Sequence, residues 1–140
     1  MIHHALKNIL EKECPDLNWS VRYFMDEDNT GTVYYEGGKD PHRFDPDMYY
    51  PSYGVLIRSS DWRKAEEYAL RVSEALHKRR NEYMEGYRYQ NGNMVASEGY
   101  AVLSIDQVGD VLDLGIVNNE INEWKINFET RLYKLKEGEK

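Results

Sequence analysis

Tyr53-Gly54-Val55-Leu56-Ile57-Arg58-Ser59-Ser60-Asp61-Trp62 is the stretch on which the fold turns. Its first six residues are almost continuously apolar, which predicts a strand in a central, well-covered position of a sheet. Ser59 or Ser60 then has the chemistry of a helix cap, with Asp61 near the positive end of the helix that follows. Trp62, Ala65, Ala69, Val72 and Leu76 step by three and four, so one stripe faces a sheet while Arg63, Glu66, Glu67 and Glu74 point outward. His77, Lys78, Arg79 and Arg80 gather at the negative end, as the helix dipole favours. Taken with the helix and strands on either side, this order suggests an α+β chain.

Upstream, Ile2, Leu6, Ile9 and Leu10 recur at helical spacing until Pro15 and Asp16 stop them, predicting a short amphipathic helix over residues 2–13. Trp19, Val21, Tyr23 and Met25 alternate with Ser20, Arg22 and Phe24 in the period of a strand. The turn chemistry of 26–31 then leads to Thr32-Val33-Tyr34-Tyr35-Glu36, and a hairpin is the economical reading. Between Gly37 and Ser52 the pairs Gly37-Gly38, Asp40-Pro41, Asp45-Pro46 and Tyr50-Pro51 make a long loop. This loop carries Phe44, Met48, Tyr49 and Tyr50, which are unfavourable in water; they either cover a neighbouring molecule or fold back on their own subunit.

Downstream, residues 81–99 read as an irregular hairpin or mobile loop, because Asn81, Gly86, Asn91-Gly92-Asn93 and Gly99 interrupt Tyr83, Tyr87 and Tyr89. Ala101, Leu103 and Ile105 alternate in a strand closed by Gly109-Asp110. Val111 to Val117 then leads to a turn at Asn118-Asn119. From Glu123 to Tyr133 the alternation is the cleanest in the chain, with Trp124, Ile126, Phe128, Thr130 and Leu132 on the buried face. The expectation is an antiparallel or mixed sheet of about five strands with two helices on one face, in the order α-β-β-β-α-β-β. It fills a single domain over 1–133, with 134–140 a solvated tail. Trp62, Leu56, Ile57, Trp124, Ile126 and Phe128 are the expected core.

The composition excludes several classes. A formal charge of -7 argues against a general nucleic-acid binder, which needs a surplus of Lys and Arg. Cys14 is alone and cannot form an internal disulfide. No apolar run approaches the ~20 residues of a membrane helix, and the first residues lack a signal peptide's pattern, so the chain reads as cytosolic where it is made.

Ready-made chemistry is scarce. There is no Gly-rich phosphate loop, no Cys-x-x-Cys pair and no nucleophile elbow, so no catalytic, cofactor or metal residue is assigned. His42 with Asp40, Asp45 and Asp47 offers cation ligands, yet an acidic solvated loop explains them as well. The strongest enzymatic pattern is Glu123-Trp124-Lys125, an acid-x-Lys on a strand that, with Asp106, Asp110 or Asp113, could hold a divalent ion as metal-dependent nucleases do. Cross-strand charge on a solvent face explains the same residues. Lys78-Arg79-Arg80 form a local positive spot that could touch nucleic acid or merely complement the helix dipole. Twelve tyrosines fit a surface of large amphipathic side chains, though core and sheet also use tyrosine.

One resemblance spans roughly residues 2–133. Asn18-Trp19-Ser20-Val21-Arg22-Tyr23-Phe24, the lead-in Pro15-Asp16-Leu17, Val33-Tyr34-Tyr35-Glu36 and above all Tyr50 to Trp62 resemble the bacteriophage minor-capsid family related to tail terminators. The helix with Ala65, Glu66, Ala69 and Ala75-Leu76-His77, and the strand at Trp124-Lys125-Ile126-Asn127-Phe128, are similar to it too. Residues 81–99 depart from it by being longer and richer in Tyr and Asn. The resemblance implies a non-enzymatic virion protein of a tailed phage or prophage. Its subunits would close into a homohexameric ring at the head–tail junction, end tail-tube growth and dock the head connector. DNA would pass only through the lumen, and the protein would reside in the virion after assembly in the host cytoplasm. On that reading Tyr49, Tyr50, Tyr53 and Phe44 are interface candidates. Arg58 pairs with an acid across either a strand or a subunit boundary. A metal-dependent nuclease using Glu123 and Lys125, or a non-catalytic interaction module, are the alternatives.

Overall fold

A computed structural model describes residues 1–24, 27–40, 42–117 and 120–135, with 97 and 98 described in backbone only. The expectations placed on Met25, Asp26, Pro41, Asn118-Asn119 and the tail beyond 135 lie outside the described residues.

Chain order is α1 (His3–Glu13), β1 (Asn18–Val21), β2 (Thr30–Gly38), β3 (Met48–Tyr49), β4 (Pro51–Ser59), α2 (Trp62–Leu76), β5 (Arg79–Gln90), β6 (Asn93–Gln107), β7 (Leu112–Val117) and β8 (Ile121–Lys134). The strands form one mixed sheet in the order β1-β2-β4-β8-β6-β5. β8 is its spine. Along one side it pairs with β3 at Leu132–Tyr133 and with β4 from Asn122 to Glu129. Along the other it pairs with β7 from Ile121 to Lys125 and with β6 from Phe128 to Lys134. The clean alternation of β8 follows from this place: Trp124, Ile126, Phe128 and Leu132 meet the helices, and Glu123, Lys125 and Glu129 take the other face.

The expected five-stranded α+β sheet is overturned: the molecule is mostly β, and among the described residues a large curled sheet of eight strands carries two helices. The expectation lacked β3, β5 and β7, and between 79 and 107 residues read as breakers are parts of one long hairpin. Asn91 and Gly92 both hold positive φ, 52° and 80°, which is the two-residue turn whose twist matches flanking strands. Gly99 is a strand residue whose missing Cβ leaves room for the ring of Tyr83. The hairpin outruns β8: Tyr100 is paired with Lys134, and from Gly99 to Asn93 β6 is paired with β5 alone.

The expected β1–β2 hairpin is replaced by a parallel pair, Asn18 beside Thr30 through Val21 beside Val33. Arg22, at φ 66°, ends β1, so Tyr23 does not continue the strand. The chain then turns back to start β2 level with Asn18, whose N–H donates to Asn29 O (2.8 Å).

Both helices cover one face of the sheet. Ile2, Leu6 and Leu10 from the α1 region and Ala69, Val72 and Leu76 from α2 meet Val33, Val55, Ile57, Ile126 and Phe128 in a continuous core. α1 touches β1 and β2 near one end of the strand order and β5 at the other, so the sheet curls around it. Two details of α2 differ from expectation. Asp61 is its cap, its carboxylate accepting from Lys64 N at 3.2 Å, while Ser59 Oγ accepts from Asp61 N. Trp62 is not core: it lies in the first turn, 54% exposed, with its indole N–H donating to Glu120 O (3.1 Å). Tyr68 completes the buried stripe instead, its hydroxyl on Asp16 at 2.7 Å.

Candidate assembly surface

The loop between β2 and β4 is ordered by its own polar groups. His42 Nδ1 accepts from Phe44 N (3.1 Å) and Asp45 N (2.9 Å), and Asp45 Oδ1 accepts from Asp47 N (3.0 Å). Lys134 N donates to Asp47 O at 2.8 Å, tying the loop to the end of β8. This scaffold leaves Phe44 85% exposed, touched by the Arg43 guanidinium 5.9 Å from its ring centre. The phenyl ring thus stands in solvent on a loop held by its own hydrogen bonds.

The other aromatics of this region divide. Tyr49, paired with Leu132, is half-buried against the core, and Tyr50 is half-buried beside the His42 ring. Together with Tyr35, Tyr53 and Tyr100 they line an open cavity of about 380 Å³. Tyr53 itself is inside the subunit, fully buried. Its hydroxyl accepts from Ile2 N (3.2 Å), and burial pushes its ionisation well above the usual phenol range. Any part it takes in a subunit contact is through the shape it gives the cavity.

Arg58 has an acid partner within the subunit. It is the register partner of Glu123 across β4 and β8, with Nε 3.0 Å from the carboxylate and the two side chains 10% and 19% exposed. Lys125, two residues on, sits 2.6 Å from Glu36 and over the ring of Tyr34. Hydrogen bonding to Glu36 raises its pKa, whereas burial chiefly pushes Tyr34 up to about 12. Both halves of the acid-x-Lys pattern are thus neutralised by neighbours on the face away from the helices.

The aspartates that pattern needs are elsewhere. Asp113 is the partner of Trp124 and so lies on the helix-bearing face, where its carboxylate accepts from Gly115 N and Asn122 Nδ2. Asp106 pairs with Arg80 at 2.7 Å beside Glu129, six residues or roughly 20 Å along β8 from Glu123. Asp110 caps its own turn at Val111 N. Among the described residues no three His, Cys, Asp or Glu side chains converge as a cation site.

The basic run after α2 is also engaged. Arg79 donates to Ala75 O (2.6 Å) at the helix end and pairs with Glu82, while Arg80 holds Asp106. Cys14 is buried, and burial raises its thiol to about 11.

A second set of exposed apolar side chains lay unmarked in the sequence reading. Leu112, Leu114 and Ile116 of β7 and nearby Val108 are each more than 40% exposed, and so are Tyr89 and Met94 at the tip of the β5–β6 hairpin. In sequence, Val111 to Val117 reads only as leading to a turn; its pairing as a strand at a sheet margin is something periodicity does not encode.

The fold and these surfaces define a class: a curled, mostly β subunit with helices on one face and aromatic or aliphatic groups displayed at several margins. Among solved structures the chain is similar to a chain from the virion of a native gene transfer agent particle, at a TM-score of 0.51 and 10% sequence identity, over 91% of this chain and 84% of that one. At that identity the likeness is one of fold. No protein-family model matches the sequence, and no curated protein matches it. Among the described residues, no helix is long and apolar enough to cross a membrane.

Proposed function

We propose that this protein is a non-enzymatic structural subunit of a tailed phage or prophage virion, of the minor-capsid and tail-terminator kind, whose copies close into a ring at the head–tail junction. The observation that carries the reading is the fold likeness to a virion chain over nearly the whole length. Three features support it: the solvated Phe44, the half-buried Tyr49 and Tyr50 on the same rim, and neutralisation of the acid-x-Lys pattern inside the subunit.

On this reading residues 1–133 act as one unit, and six copies form the ring. Its rims meet the tail tube and the head connector, and DNA only passes through the lumen. Closure comes from ordinary interface physics: rim aromatics that are unfavourable in water are covered by a neighbour, and a capped tube stops growing. The test is microscopy of the purified chain with and without tail tubes from its own phage, alongside tails made without the gene. Six-fold rings at tube ends, and overlong tubes in their absence, are the expected result. A persistent monomer that leaves tube length and tube ends unchanged would overturn the proposal, and Mg²⁺-dependent DNA cleavage lost in Glu123→Ala would replace it with the nuclease reading.

A further inference from the structure

β7 forms the sheet margin beside the lower half of β8, and among the described residues no strand pairs on its outer side. Natural edge strands are usually blunted by lysine, proline or a covering element. This one carries only a bulge between Asp113 and Gly115; it displays Leu112 on the face of Lys125, Leu114 at the bulge, and Ile116 on the helix-bearing face beside the exposed Trp62 of α2. A hollow of about 440 Å³ runs between Trp62, Ile116 and Trp124; its rim holds Glu66 and Asp113 and no cation.

The tip of the β5–β6 hairpin is a different kind of surface. Although β5 ends the strand order opposite β1, the curl of the sheet brings the tip back toward the end of β1, where the Arg22 guanidinium lies 5.9 Å from the ring centre of Tyr89. Tyr89 and Met94 are cross-strand partners, 62% and 47% exposed. The cavity beside them, about 290 Å³, is lined by Arg22 and Arg88 with aromatic and imidazole groups and no carboxylate. Tyr23 and Phe24, next to Arg22 in the chain, are exposed as well.

We propose that these surfaces are the two halves of one contact between copies of this chain, the β7 flank of one subunit receiving the hairpin tip of the next. Tyr89 and Met94 cover Trp62 and Ile116, and Arg22 and Arg88 face Glu66 and Asp113. The inference deepens the ring reading and rests on it. The charges favour unlike over like pairing: β7 against β7 would bring two acidic rims together, and tip against tip two cationic ones. Because the halves differ, each copy keeps one half unused after the first contact, which is the condition for a ring.

Paired cysteines test this in the full-length chain. Ile116→Cys and Tyr89→Cys are made separately at exposed positions, with Cys14 buried and out of competition. Mild oxidation of the mixture should give a 116–89 adduct several-fold above either homotypic adduct, and a chain with both substitutions should give a covalent ladder. Arg22→Glu should weaken the adduct, and adding Glu66→Arg should restore it. Homotypic adducts equal to the mixed one, or no adduct in a sample where microscopy shows rings, would discard this contact and leave the ring reading standing. Absence of any multimer with or without tail tubes would remove both.

Discussion

Arg58→Ala, Glu123→Ala and the double substitution separate a structural ion pair from a catalytic carboxylate. The pair joins the two most central strands, β4 and β8, at 3.0 Å, with side chains 10% and 19% exposed. Removing one partner of a fully buried pair costs about 3–5 kcal/mol, because the other charge is left dry. Some water reaches this pair, so about 2–3 kcal/mol is expected for each single substitution. The double variant leaves no orphan charge and should lose about 1–2 kcal/mol less than the sum of the singles. For a chain of this size each kcal/mol moves Tm by roughly 3–5 °C. Urea unfolding of all four proteins, with slopes held comparable, gives the coupling directly. A coupling within about 0.5 kcal/mol of zero would refute the account, since Arg58 and Glu123 would then act independently.

Gly54→Ala places a Cβ 2.4 Å from the Tyr34 ring, which lies across it from β2; the ring must shift from its place against Lys125, and about 1–3 kcal/mol of stability should be lost in the same urea assay. His3 is held neutral, chiefly by burial and then by His4, so its folded pKa falls from 6.5 to about 4. The unfolded chain therefore takes up the proton first as pH drops: this contribution to stability is present above pH 6.5 and erodes between 6.5 and about 4, by on the order of 3 kcal/mol in total. His3→Leu should flatten that part of the stability–pH curve, and an unchanged slope would count against the assignment. Cys14 should resist iodoacetamide in the native chain by about a hundredfold or more relative to unfolded chain, with labelling tracking opening of the α1 end of the core. Phe44→Ala should change stability by less than about 0.5 kcal/mol while weakening self-association in light scattering, because its ring is in solvent until a neighbour covers it.

Local chemistry made several elements legible in the sequence. The 3.6-residue stripe gave α2 and its small alanines, the two-residue period gave β8 and its buried face, and the unbroken apolar run of Val55 to Ile57 marked β4 as central. Residues 81–99 read either as an irregular hairpin or as a mobile loop, because Gly99 and Asn91-Gly92 have the same letters whether they end a strand or serve one. Only the ring of Tyr83 over Gly99, and the two left-handed residues of the turn, tell the cases apart. Trp62 kept helical spacing but sits in the first turn, 54% exposed at the rim of the hollow beside Ile116 and Trp124.

What the sequence determined by itself was which residues seek cover and with what period, since both follow from side chains a few positions apart. Which of them find that cover inside the subunit was decided by tertiary pairing between residues far apart in the chain. Tyr53 is sealed beneath Ile2, Arg58 is matched to Glu123 across 65 positions, and β7 is left as a margin because β6 leaves β8 before reaching it. A strand's period names its faces but not its neighbours, so the exposed apolar margins became visible only once every strand had its place.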